Sequence, residues 1–234
     1  MTALALVPPA AAGEGLDPLL HSQRVWRANA APRPATEAPR RPTGWAALDA
    51  VLPTGGWPDA ALVEILIAHD GVGELSLLWP ALAALATPER PVLLVAPPYR
   101  PYAPAWQRAG VRLSALQVVD AGPRDALWAM EQALRAGSCG AVLGWPMTAD
   151  DKALRRLQVA AESGQCLGVA FRPARAAANP SPAPLRLQLD ADGEGPRLRV
   201  LKCRGAQPPA QALRPGPGHV PGKMCPAPGF GRWH

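Results

Sequence analysis

Apolar runs of strand length alternate with stretches of helical periodicity through the middle of the chain. Ala61–Ile67 (ALVEILI), Val92–Ala96, Leu116–Val119, Ala141–Leu143 and Cys166–Phe171 read as five strands, the second of them buried. Between them, helical spacing covers about residues 74–86, 103–109, 123–136 and 149–163. Leu127, Met130, Ala133 and Leu134 fall on the inward side of the third of these helices. A turn or two of helix over Ala46–Leu52 precedes the first strand and ends in the Pro53–Pro58 turn. Strands that alternate with helices five times predict a mostly parallel sheet with helices on both faces. Downstream, Leu185–Leu189 and Leu198–Lys202 alternate polar and apolar residues around Asp190–Pro196. That pattern predicts a C-terminal β-hairpin that extends the sheet antiparallel.

The flanks lack this order. Residues 1–15 carry no periodicity, and 16–28 read as a short amphipathic helix with Leu16, Leu19, Leu20 and Trp26 near one face. Residues 29–42 form a Pro/Arg linker. From Gly205 the chain is rich in Pro and Gly, and disorder is expected at both termini. The division is therefore an N-terminal arm over 1–42, a core over 43–204 and a basic tail over 205–234.

Composition changes this picture in two places. Thirty prolines in 234 residues are too many for regular structure throughout, so most belong to linkers and tails. The net charge of +6 is uneven: +2 over residues 1–42, −3 over 43–171 and +7 over 172–234. The basic character belongs to the C-terminal part, which suits an acidic partner face or nucleic acid. Cys139, Cys166, Cys203 and Cys225 are far apart with no CxxC pair, which excludes a zinc knuckle or disulfide framework and suits a reducing cytoplasm. The first residues lack a basic n-region and are cut by Pro8 and Pro9, so no signal peptide is expected. No run of 18 apolar residues offers a membrane span.

Chemistry is expected beyond the carboxyl ends of parallel strands, and three positions there are empty. The loop Ala68-His69-Asp70-Gly71-Val72-Gly73-Glu74-Leu75-Ser76 stands where a phosphate-binding loop stands. Glu74 and Leu75 occupy the places of the lysine and hydroxyl such a loop needs. A carboxylate about 4 Å from a phosphate charge is repelled by roughly 4 kcal/mol at an effective dielectric of 20. After the fourth strand, Leu143-Gly144-Trp145-Pro146 offers no metal-holding Asp; Asp150 and Asp151 suit a helix N-terminus instead. After the second strand, Ala96-Pro97-Pro98 offers no catalytic base. His21, His69, His219 and His234 are scattered. The core reads as non-enzymatic, with no metal and no cofactor.

Thr43-Gly44-Trp45-Ala46-Ala47-Leu48-Asp49, Gly55-Gly56-Trp57-Pro58 and Leu62-Val63-Glu64-Ile65 resemble the start of a RecA-like ATPase core. Within that superfamily, Gly73-Glu74-Leu75, Ala81-Leu82-Ala83, Gly140–Pro146 and Leu201-Lys202-Cys203-Arg204-Gly205 resemble the ImuA family of translesion-synthesis proteins. The resemblance implies a damage-induced adaptor that contacts an ImuB-type Y-family polymerase-like protein, with RecA and an error-prone C-family polymerase as further partners. Two rivals stand beside it: a SulA-like cell-division inhibitor and a degenerate RecA-type ATPase. Leu20 and Trp26 are expected to dock a subunit or partner. A basic row of Arg186, Arg197, Arg199, Lys202 and Arg204 on the hairpin is expected to contact the polymerase-like protein. The loop at 172–184 keeps Arg172 and Arg175 but has no aromatic residue for base stacking, so only weak, salt-sensitive DNA contact is expected.

Overall fold

The computed structural model describes residues 41–214. The helix expected at 16–28, with Leu20 and Trp26, and the chain beyond Arg214 lie outside the described residues. The strands are β1 (Ala61–Ile67), β2 (Val92–Val95), β3 (Leu116–Val119), β4 (Ala141–Gly144), β5 (Leu167–Pro173), β6 (Leu185–Asp192) and β7 (Gly195–Cys203). The helices are α1 (Ala46–Asp49), α2 (Trp79–Leu85), α3 (Ala103–Arg108), α4 (Pro123–Ala136) and α5 (Asp151–Ser163), with 3₁₀ turns at Leu113–Ala115 and Ala174–Ala178. All seven strands form one sheet in the order β3-β2-β4-β5-β1-β6-β7. Every pairing is parallel except β6 with β7. The α/β class, the mostly parallel sheet and the presence of a C-terminal hairpin are as the apolar pattern predicts, but the hairpin joins the sheet through a parallel β1–β6 pair rather than as the antiparallel extension expected, and only β7 runs antiparallel to its neighbour.

Position in the sheet explains the runs. β1 lies between β5 and β6, and all seven of its residues are buried. Its alternate side chains feed two cores. Val63, Ile65 and Ile67 join Trp45, Leu48, Leu77, Leu82 and Trp106 beneath α1–α3. Leu62 points the other way, to Met130, Leu134, Leu154 and Leu157 of α4 and α5. α4 spans the predicted residues, but its inward face is narrower than predicted: Met130 and Leu134 are buried, whereas Leu127 and Ala133 are half-buried. Gly144 lets α4 sit close to β4, because a Cβ there would lie 2.7 Å from Met130 Sδ.

Two elements differ from expectation. The helix expected from about Glu74 begins only at Trp79, and residues 73–78 wind through i→i+3 turns (Ser76 N to Gly73 O, 3.0 Å; Leu78 N to Leu75 O, 3.0 Å). Pro80 is the reason: lacking an N–H, it is tolerated in a first turn and not in a helix interior. The hairpin is also longer than the alternation suggested. β6 and β7 run to a two-residue turn at Gly193-Glu194, with Gly195 at φ +113°. Beyond Gly205 the chain doubles back: Leu213 exchanges two backbone hydrogen bonds with Leu198 (2.9 and 2.7 Å) along the outer edge of β7.

Candidate protein-docking face at the carboxyl ends of the strands

The β1–α2 loop holds its own anion. Gly71 and Gly73 have φ of +84° and +98°, which bends the chain into a tight arch. The Gly71 amide donates to Glu74 Oε1 at 3.1 Å, and the Glu74 side chain is buried. The carboxylate is therefore turned into the loop, with Oε1 on the Gly71 amide and Oε2 buried without a hydrogen-bond partner. Ser76 is turned inward as well: its hydroxyl donates to Gly73 O at 2.6 Å. Val72 is buried, Leu75 packs partly against the core, and Asp70 is half-buried. His69 is exposed and hydrogen-bonds through Nδ1 to Asp70 O. Sequence reasoning expected Glu74 to repel a phosphate; the structure turns its carboxylate inward onto the Gly71 amide.

On the other side of the sheet lies a buried ionic cluster that sequence reasoning missed. Glu64, in the middle of β1, has no solvent exposure. Arg172 of β5 donates from Nη1 to Glu64 Oε1 at 2.5 Å, and Arg186 of β6 donates from Nε to Oε2 at 2.6 Å. One further nitrogen of each reaches a main-chain carbonyl, Arg172 Nη2 to Ala149 O and Arg186 Nη2 to Ala176 O, while Arg172 Nε is buried without a hydrogen-bond partner. A buried charge is tolerated only when paired and hydrogen-bonded, and here one carboxylate serves two guanidiniums. The cluster ties β1, β5 and β6 to the start of α5 and to the 3₁₀ turn after β5. The available signal was a lone Glu inside ALVEILI, with an Arg inside each of two other apolar strands.

Arg186 is therefore removed from the expected basic row: it is buried at 7% exposure and engaged with Glu64. Arg172, assigned to a loop with weak DNA contact, is equally unavailable. Of the rest, Arg199 and Arg204 are exposed, and Arg197 and Lys202 are half-buried. Lys202 donates to Ser181 O at 2.8 Å, and burial, ahead of its neighbours Arg204 and Arg186, lowers its pKa. The register shift between Arg186 and Leu187 keeps Lys202 opposite Arg186, on the face of Arg199 and Arg197.

The carboxyl ends of the strands present apolar surface. Tyr99 and Tyr102 follow β2, and Met147 follows β4. Trp128, the most exposed of the large apolar side chains at 62%, lies in the second turn of α4. Ala96, just after β2, has φ +48°, a strained value for a residue with a Cβ. Behind this surface Trp145 stacks on Phe171 with centroids 4.9 Å apart. Asp150 caps α5, its carboxylate accepting from the Ala153 amide at 2.8 Å. A shallow pocket of about 180 Å³ opens between Asp150, Asp151, Arg172, Asn179 and Pro180. Among the described residues no group of three or more His, Cys, Asp and Glu is placed to hold a metal. No described helix is long and apolar enough to cross a membrane. Burial pushes the Cys166 thiol up to about 11.

The described residues thus set exposed apolar side chains at the carboxyl ends of the strands of an α/β sheet. Residues 61–168 match the family model described as cell division inhibitor SulA. A curated cell division inhibitor SulA from Edwardsiella piscicida is 36% identical over 110 residues, which are 44% of this chain. The match spans 64% of that relative's length, just under two thirds. The solved structure of SulA from Pseudomonas aeruginosa is 28% identical, with 50% of this chain and 99% of that one covered at a TM-score of 0.41. The family-model match and the curated relative overturn the resemblance to ImuA. They also remove the translesion-adaptor role and its partners, the ImuB-type protein, RecA and the C-family polymerase. The reason lies in the motifs: Gly73-Glu74-Leu75, Ala81-Leu82-Ala83 and Gly140–Pro146 all fall within the stretch that the SulA model matches. They do not separate the two families.

Proposed function

We propose that this chain is a non-catalytic inhibitor of bacterial cell division that acts in the cytoplasm by binding the tubulin-like division protein FtsZ. The match of residues 61–168 to the SulA family model carries the reading. The geometry supports it in two ways. Glu74 turns its carboxylate into the loop that a nucleotide needs, so the chain is suited to block a partner rather than to turn over a substrate. Tyr99, Tyr102, Trp128 and Met147 stand exposed at one end of the sheet, and aromatic anchors of this kind dominate protein interfaces. The contact is steric and stoichiometric: the inhibitor occupies a surface that FtsZ needs for polymerisation, and no bond is made or broken. Adding the purified chain to FtsZ and GTP should reduce sedimentable polymer in proportion to inhibitor concentration, and overproduction should make cells filament. Unchanged polymer at a several-fold excess, together with cells of normal length, would exclude the reading.

A further inference from the structure

The chain leaves β2 through a residue that carries two penalties at once. Ala96 has φ +48°, in the left-handed region that a Cβ disfavours. It also precedes Pro97, and a residue before proline is driven toward extended backbone at negative φ. Such strain persists only where the surroundings over-determine it. Here the Ala96 amide donates to Val119 O at 2.8 Å, one rung beyond the β2–β3 ladder.

The segment that follows reads Pro97-Pro98-Tyr99-Arg100-Pro101-Tyr102. Proline fixes its own φ and narrows the choices of the residue before it. Pro97, Pro98 and Pro101 therefore restrict positions 97, 98, 100 and 101, and of the six residues only the two tyrosines escape. Tyr102 is held in another way. It is the N-cap of α3, with φ −80° and ψ 97°, and its carbonyl accepts from the Ala105 amide at 2.9 Å. One turn later Trp106 is buried and meets Trp79 edge to face, with centroids 4.8 Å apart. The segment is thus anchored at both ends and stiff between them, yet the side chains it carries are open to solvent. Tyr99 is 42% exposed and Tyr102 52%.

We propose that residues 96–101 form a rigid bracket that holds Tyr99 and Tyr102 in their bound positions before a partner arrives; the proposal rests on the reading that FtsZ docks at this end of the sheet. Ala96, Pro98 and Pro101 are positioning residues, acting through the tyrosines. The reason is entropic. An exposed segment that must be ordered on binding subtracts that cost from affinity, whereas one ordered during folding does not. The left-handed Ala96 sets the direction in which the segment departs from the sheet, and the prolines keep it there.

The test uses the full chain and has one arm without FtsZ. Relaxation measurements on the free chain should give backbone order parameters of about 0.85 at Tyr99 and Tyr102, falling toward about 0.6 in Pro98→Ala/Pro101→Ala. A proline that suits its site shifts the equilibrium it pre-orders by roughly two- to fivefold. The double variant should therefore bind FtsZ about tenfold more weakly in titration calorimetry. Ala96→Gly separates positioning from support of the fold. It should bind several-fold more weakly with no loss of thermal stability, whereas a merely structural residue would lose both together. Low order parameters at the two tyrosines of the parent overturn the bracket. So do order parameters or an affinity that the double variant leaves unchanged. A parent chain that does not bind FtsZ overturns the docking reading instead, and the positioning role falls with it.

Discussion

Glu64 is the residue whose removal should cost most. Replacing it by Leu leaves Arg172 and Arg186 buried without a counter-charge, and breaking a buried pair from one side costs about 3–5 kcal/mol. Urea denaturation of Glu64→Leu should show that loss as a lower midpoint with an unchanged slope. Adding Arg172→Met and Arg186→Met to it should recover much of the loss, since an apolar cluster of similar volume tolerates burial. If the single variant unfolds like wild type, the cluster is not the stabilising element that its geometry indicates. Strain gives a second expectation. Ala96→Gly should raise stability by about 1 kcal/mol, because glycine adopts φ near +48° without penalty. Legibility ended early at this scale. The absence of a phosphate-loop lysine was plain in the sequence. The partners of Glu64 were not, because they lie 108 and 122 residues away and pairing across strands leaves no local spacing.

Among elements, the β6–β7 hairpin is held by a contact that pH should release. Arg214 donates to both oxygens of Asp192 (3.0 and 2.6 Å) and pairs with Glu194 at 3.1 Å. That hydrogen bonding, ahead of the Glu194 amide, lowers the Asp192 pKa from 3.8 to about 2. A carboxyl with a depressed folded pKa contributes its stabilisation above the unfolded value. The contribution is lost as pH falls through the folded value. The clamp should therefore hold above about pH 4 and open between about 4 and 2. The amides of Leu198 and Leu213 should lose hydrogen-exchange protection over that window. Arg214→Ala should abolish the pH dependence and leave their protection low throughout. The hairpin itself was legible from alternation and its Gly-rich turn. The return of residues 205–214 was not, since a single bridge inside a Pro-rich segment makes no periodicity. The late start of α2 was readable in principle from Pro80, which outweighs the apolar spacing that extends back to Glu74.

At the scale of the whole molecule, the strand–helix alternation of the sequence carried the architecture, while the exposed aromatic surface left only faint marks. Tyr99, Tyr102, Met147 and Trp128 are separated by up to 48 positions, and sequence alone gives no reason to group them. Only the parallel topology brings the ends of β2 and β4 and the first turns of α4 to one end of the sheet. If FtsZ docks on that end, energy should concentrate in the aromatics. Loss of a central Tyr or Trp anchor typically costs about 2 kcal/mol or more, roughly thirtyfold in affinity. Tyr102→Ala and Trp128→Ala should each weaken inhibition of FtsZ polymerisation to about that extent, and the double variant should abolish filamentation on overproduction. Arg197→Glu with Arg199→Glu, on the hairpin at the far side of the sheet, should inhibit like wild type. All of these side chains are at least partly exposed, so each variant should melt within a few degrees of the parent. Full inhibition by both aromatic variants, with loss in the hairpin pair instead, would move the binding face to β6–β7.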